Sequence, residues 1–146
     1  MSQSISSPES ELEELRMRWS EIKNELLKAM DKIREITDIL VNECPQVVFN
    51  WIVPGFVKTY ELLYLTPASI KHYVRFKLPL GFIPSSEVIL ALEQATKMIK
   101  RYYNDIEELF YIESCSKLME EKVLLIISYL LTVKQIIEGL IVNRGE

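Results

Sequence analysis

Residues 12–40 read LEELRMRWSEIKNELLKAMDKIREITDIL, and their apolar positions fall at Leu12, Leu15, Trp19, Ile22, Leu26, Ala29, Ile33, Ile36 and Leu40. This 3-4-3-4 spacing is held over four heptads and puts all nine side chains on one helical stripe. A helix from about Pro8 to Glu43 would be roughly 54 Å long at ~1.5 Å per residue. A rod of that length cannot stand alone, so its stripe must be covered by other helices of the chain or by a second copy.

Signals on either side of the stretch agree with this reading. Ser7 offers a hydroxyl cap and Pro8 a first-turn proline. Glu9, Glu11, Glu13 and Glu14 follow, facing the positive end of the helix dipole. Arg16 and Lys23 on one side, and Arg18, Glu25 and Lys32 on the other, occupy the positions flanking the stripe, as charged residues do in coiled coils. Pro45 ends the helix, because the residue before a proline disfavours the α region. Residues 1–7 are small and polar and are expected to be a disordered tail ahead of a single domain spanning 8–146.

Two further stretches have helical period. Val88, Leu92, Ala95, Ile99, Tyr102, Ile106 and Leu109 predict a helix from Ser85 or Ser86 to about Ser114. From Ser116 to about Asn143, Leu118, Met119, Val123, Ile126, Ile127, Leu130, Leu131, Val133, Ile136, Ile137, Leu140 and Ile141 cover more than half the helix circumference. Such a helix is expected to be the central, most buried one or to form a subunit interface.

The middle, Pro45 to Pro84, is less determinate. Phe49, Trp51, Phe56, Val57, Tyr60 and Leu63 suit a buried helix kinked at Pro54-Gly55. Thr66-Pro67 repeats the cap-then-proline signal and opens a short helix through Lys77, although Val74, Phe76 and Leu78 also alternate as a strand would; helix is preferred because no partner strand is evident. The expected fold is all-α: a bundle of about four helices with long N- and C-terminal helices and a kinked, Pro-rich helical middle.

Composition narrows the function classes. The 146 residues carry 26% charged and 49% apolar side chains and a net charge of −4, which argues against a whole-molecule polyanion binder. Cys44 and Cys115 are too far apart in sequence for a metal knuckle or a disulfide-dense secreted scaffold, so an intracellular, cytoplasmic protein with two free cysteines is expected. If the helices run up-down-up-down, both cysteines lie at the same end, and a disulfide between them is the alternative if their Cα atoms come within about 7 Å. The N-terminus lacks the pattern of a signal peptide, and the longest uncharged apolar run, residues 123–133, is short of the ~20 needed to cross a bilayer, so no membrane span is expected. Seventeen Ile and seven Tyr against four Ala and four Gln suit a thermophile or an AT-rich genome.

No catalytic motif emerges. His72 is the sole histidine, with Ser69 three positions before it, so Glu-x-x-His pairs for a di-iron site are absent, as are HExxH, GxGxxG and GxxxxGK[ST]. Glu107-Glu108 and Glu120-Glu121 point ~100° apart on a helix and do not share a proton. No cofactor, metal site or enzymatic activity is expected.

Charge segregation carries the functional content. Residues 9–43 hold ten acids and six bases and residues 86–113 six and three, whereas residues 58–77 hold Lys58, Lys71, Arg75 and Lys77 against Glu61 alone. Tyr73 and Phe76 interleave with Lys71, His72, Arg75 and Lys77, a composition that suits phosphates and bases. The candidate partner-binding residues are this basic set with Lys58, together with Glu9, Glu11, Glu13, Glu14 and Trp19 on the first helix.

In its size, its Ile- and Tyr-rich composition and its long Leu12–Leu40 helix, the chain resembles the four-helix-bundle proteins of the crenarchaeal two-tailed spindle virus. That family includes a virion protein and an inhibitor of host RNA polymerase. The resemblance implies a non-enzymatic viral protein that packs in a particle or plugs the nucleic-acid channel of the polymerase. The first expectation is therefore an interaction protein that docks on a large protein partner such as RNA polymerase. A self-assembling structural protein, and so a homo-oligomer, is the second, and a nucleic-acid binder through residues 71–77 the third.

Overall fold

The computed structural model describes residues 8–52, 57–112 and 115–144. The fold is all-α, with long helices at both ends of the chain: α1 (Pro8–Glu43), α2 (Pro45–Val48), α3 (Thr59–His72), α4 (Ser86–Ile112) and α5 (Lys117–Arg144). Ser7, Pro54-Gly55, Ser114 and the N-terminal tail lie outside the described residues.

Ion pairs fix how the four long helices run. Arg18 of α1 grips Glu93 of α4 with both ends of its guanidinium, at 2.7 and 3.2 Å. Glu25 pairs with Lys100, and Lys32 with Glu107 at 2.6 Å. All three pairs are 75 residues apart, so α1 and α4 run parallel with one heptad between successive rungs, and the charge order alternates along the ladder. One of the two charged flanks seen in the sequence, Arg18, Glu25 and Lys32, thus supplies the rungs of a helix–helix seam, whereas Arg16 pairs with Glu13 of its own helix and Lys23 lies over the Trp19 ring. The hydrogen bond from Lys100 holds the Glu25 carboxyl below its ordinary range. On the other side of α1, Lys71 pairs with Asp31 and Tyr64 donates to Asp38. Residue numbers fall on α3 as they rise on α1, so α3 is antiparallel to α1.

α1 packs on α3 and α4, and α5 packs on the same two helices. The chain therefore runs up, down, up and down, with α1 diagonal to α5. The core between them is dry and aliphatic: Leu26, Met30, Ile33 and Leu40 of α1 meet Leu63, Ile70, Leu92, Ile99, Ile106, Met119 and Leu130, all essentially without solvent contact. The buried hydroxyls of Thr37 and Thr96 are satisfied by the carbonyls one turn back, Ile33 and Leu92, at 2.7 Å each. Ser85 and Ser116 cap α4 and α5, their Oγ atoms accepting from Val88 and Met119 at 3.3 and 3.1 Å.

Several expectations are corrected. The described residues between 45 and 58 form no kinked helix: α2 is a single turn, and Trp51–Ile52 (β1) pairs antiparallel with Val57–Lys58 (β2). Asn50 C=O closes the ribbon by accepting from the Thr59 amide at 2.8 Å, and Glu61 reaches back to the Lys58 amide at 2.9 Å to start α3. Phe49 and Trp51 are exposed rather than lining a helix interior. Helix was right for 67–77, yet Thr66-Pro67 opens nothing: Pro67 sits inside α3 and is buried. Beyond His72 the helix widens to a π turn, Tyr73–Lys77, closed by Leu78 N–H on Tyr73 C=O at 3.2 Å, and Leu78 turns extended ahead of Pro79. Pro79–Phe82 then forms a turn that needs a left-handed residue at its third position, supplied by Gly81 at φ +83°.

The cysteines are bonded, not free. Cys44 closes α1, Cys115 lies between α4 and α5, and their Cα atoms are 5.2 Å apart. The expectation of a shared end holds; the expectation of two free thiols fails because this topology brings the two Cβ atoms within bonding reach. Nor is α5 central. Its inner face is buried, but Leu118, Leu124, Leu125, Leu131 and Val142 are exposed. By length and composition α5 would also be able to cross a membrane, against the expectation from its short uncharged run, although one of its faces is the bundle core.

Candidate functional site

The basic segment does not form one patch. Lys58 lies at the ribbon end of α3, its Nζ over the rings of Trp51 and Phe49 at 5.2 and 5.8 Å. Thirteen residues of helix, roughly 20 Å at ~1.5 Å per residue, separate it from Lys71. Lys71 is occupied by Asp31, and Tyr73 donates its hydroxyl to Glu138 of α5 at 3.2 Å. These two side chains hold helices together. His72, Arg75, Phe76 and Lys77 are exposed; the His72 ring lies against Phe76, centroids 5.4 Å apart, and Phe76 is 72% exposed.

A groove of about 240 Å³ opens between α1 and α3, lined by Arg34, Tyr64, Lys71, His72, Arg75 and Phe76. Arg34 is an outward α1 residue with no motif around it, and only the packing of α1 on α3 brings it to the groove that Arg75 also lines. Neither arginine has an ion-pair partner among the described residues. Asp31 and Asp38 flank the groove, so its positive charge is modest. The π turn aims Arg75 and Phe76, and such turns recur at functional sites.

Burial, and then the hydrogen bond to Asp38, push the Tyr64 hydroxyl up to about 12. A folded-state pKa above the ordinary 10 means that this contribution to stability is complete below pH 10 and lost as pH rises through 12. Spectrophotometric titration is expected to find one tyrosine ionising near 12, and Asp38→Ala is expected to lower that value only in part, because burial is the larger cause. A Tyr64→Phe variant with an unchanged titration curve would refute this.

The acidic candidates form a second feature at the same end of the molecule. The α1–α3 register brings the end of the π turn level with about residue 25, so residues 8–18 run on past α3. Glu9, Glu11, Glu13 and Glu14 are all exposed on this arm, and among the described residues only Glu13 of the four has an ion pair within 4 Å, with Arg16. Leu12, which the stripe places in the core, is 46% exposed and Met17 59%, since no α3 residue reaches them. Trp19 is not partner-facing: at 3% exposure it packs edge-on against Phe82, ring centroids 6.4 Å apart, and secures the loop after the π turn. That loop ends in a fully exposed Leu80.

Among the described residues no group of three or more His, Cys, Asp or Glu side chains is placed to hold a metal. Compared with known protein families, curated proteins and solved structures, the chain shows no significant similarity to any of them.

Proposed function

We propose that this protein is a non-enzymatic docking factor that presents the acidic arm of α1 to a basic surface on a large protein partner, of the kind that lines the nucleic-acid channel of an RNA polymerase. The observation that carries the reading is the run of α1 past the end of α3. An amphipathic helix that leaves Leu12 and Met17 uncovered, with Glu9, Glu11 and Glu14 beside them lacking an ion-pair partner among the described residues, has the apolar anchors and the charge that a helix-in-groove contact uses. Electrostatic complementarity of this sort sets encounter rate and specificity and weakens with salt.

The test is affinity capture from native cells, using the whole chain and its Glu9→Gln, Glu11→Gln, Glu14→Gln variant, at low and high salt with mass spectrometry. A partner held by the wild type at low salt, and lost both in high salt and with the variant, is the expected result. Identical captured sets for the two chains would sink the reading. Direct contact with nucleic acid through the α1–α3 groove is the second reading, favoured by the unpaired Arg34 and Arg75 beside Phe76. Salt-sensitive DNA binding that disappears in Arg34→Ala with Arg75→Ala would put it first.

A further inference from the structure

The outward faces of α1 and α4 intersperse charges with their exposed apolar residues such as Ile39 and Leu90, with Lys28 and Glu35 on the one and Lys97, Arg101 and Glu108 on the other. α5 breaks this rule. From Leu124 to Gln135 its exposed residues, Leu124, Leu125, Ser128, Leu131, Thr132 and Gln135, carry no charge along roughly 17 Å at ~1.5 Å per residue, and Lys117 and Glu138 lie beyond the two ends. Leu65 of α3, 60% exposed, lies at the same height: the Tyr73–Glu138 hydrogen bond spans 65 residues, and the same offset sets Leu65 level with Leu130. Exposed apolar side chains grouped on one face are what an interface uses.

We infer that the occupant is a second copy of this chain, its α5 lying antiparallel on the first about a two-fold axis between Ile127 and Ser128. The charges at the two ends of the stripe select this arrangement. With that axis, Leu124 meets Leu131 of the other copy, and Lys117 meets Glu138, each pair occurring twice by symmetry. Parallel association would set Lys117 against Lys117, Glu121 against Glu121 and Glu138 against Glu138. Sliding the antiparallel pair by a heptad either way sets Leu131 against Lys117 or Leu124 against Glu138. One register satisfies both the leucines and the charges, which is the self-complementarity that a two-fold interface requires.

Sedimentation equilibrium of the full, oxidised chain tests this. The wild type is expected to pass from a 17.1 kDa monomer to twice that mass as concentration rises. Leu131→Glu and Leu124→Glu are each expected to remain monomeric, with helical circular dichroism unchanged because both side chains are already solvent-exposed. Lys117→Glu and Glu138→Lys alone should each weaken association roughly tenfold, by loss of two pairs and gain of two like-charge contacts, and the double charge swap should restore it, with Tyr73→Phe as the control for the hydrogen bond within the chain that Glu138→Lys also removes. A wild type that is monomeric throughout overturns the inference, whether or not it binds phosphatidylcholine vesicles through the same stripe. Dimers indifferent to the leucine variants place the interface elsewhere, and dimers indifferent to the single charge swaps refute the register.

Discussion

Reducing the Cys44–Cys115 bond is expected to lower the stability of the fold by about 4 kcal/mol, the loop-closure value for a 71-residue separation. For a domain of this size that is a fall of roughly 8–16 °C in Tm. The reason lies in the unfolded chain. The bond ties the end of α1 to the α4–α5 junction and so closes a loop containing all of α2, α3 and α4. Thermal unfolding followed by circular dichroism, with and without reductant, measures the effect. The Cys44→Ala, Cys115→Ala double variant should unfold at the same temperature in both conditions, because it has nothing left to reduce. The same Tm for oxidised and reduced wild type would mean that closing this loop does not destabilise the unfolded chain.

The same bond shows what the sequence could and could not disclose. The shared end of Cys44 and Cys115 follows from counting long helices and alternating their directions, and needs no side-chain geometry. The bond needs two Cα atoms within about 7 Å, and that depends on α1 and α4 being parallel neighbours rather than diagonal ones. Neighbour order is carried by the Arg18–Glu93, Glu25–Lys100 and Lys32–Glu107 rungs. The α1 half of each rung was legible as a coiled-coil flank, but its partner was hidden until a register existed.

Periodicity failed where composition left it nothing to measure. In residues 47–65 nearly every side chain is apolar, so a buried helix and a ribbon give the same pattern, and hydrogen bonds at Asn50 and Glu61 decide the matter. Thr66-Pro67 misled for a related reason. Proline is tolerated at a helix start and inside a helix whose neighbours cover it, and only the second situation, a tertiary one, applies here. The candidate site was half legible: the acidic arm and Arg75-Phe76-Lys77 were read from charge, whereas Arg34 joins them only through folding, and Trp19 leaves them because Phe82 covers it.

Alanine at Leu26 or Ile33 is expected to cost about 2–5 kcal/mol, whereas Leu12→Ala on the same stripe should cost well under 1 kcal/mol. The contrast comes from what lies opposite each position. Leu26 and Ile33 sit where α1 faces both α3 and α4, are 0% and 2% exposed, and leave a cavity that close-packed neighbours cannot fill when they are truncated. Leu12 lies beyond the end of α3 and loses little on truncation because nearly half of it already meets water. Chemical denaturation of the three variants, read as midpoint shifts at constant m-value, gives the comparison directly. A large loss for Leu12→Ala would show that the arm is packed in the isolated protein and so is not free to dock. Near-zero losses for Leu26→Ala and Ile33→Ala would mean that the stripe faces something other than this chain's own core. The docking proposal therefore requires the two ends of one stripe to differ: the Trp19–Leu40 portion holds the bundle together, and Leu12, about two turns short of it, stays available to a partner.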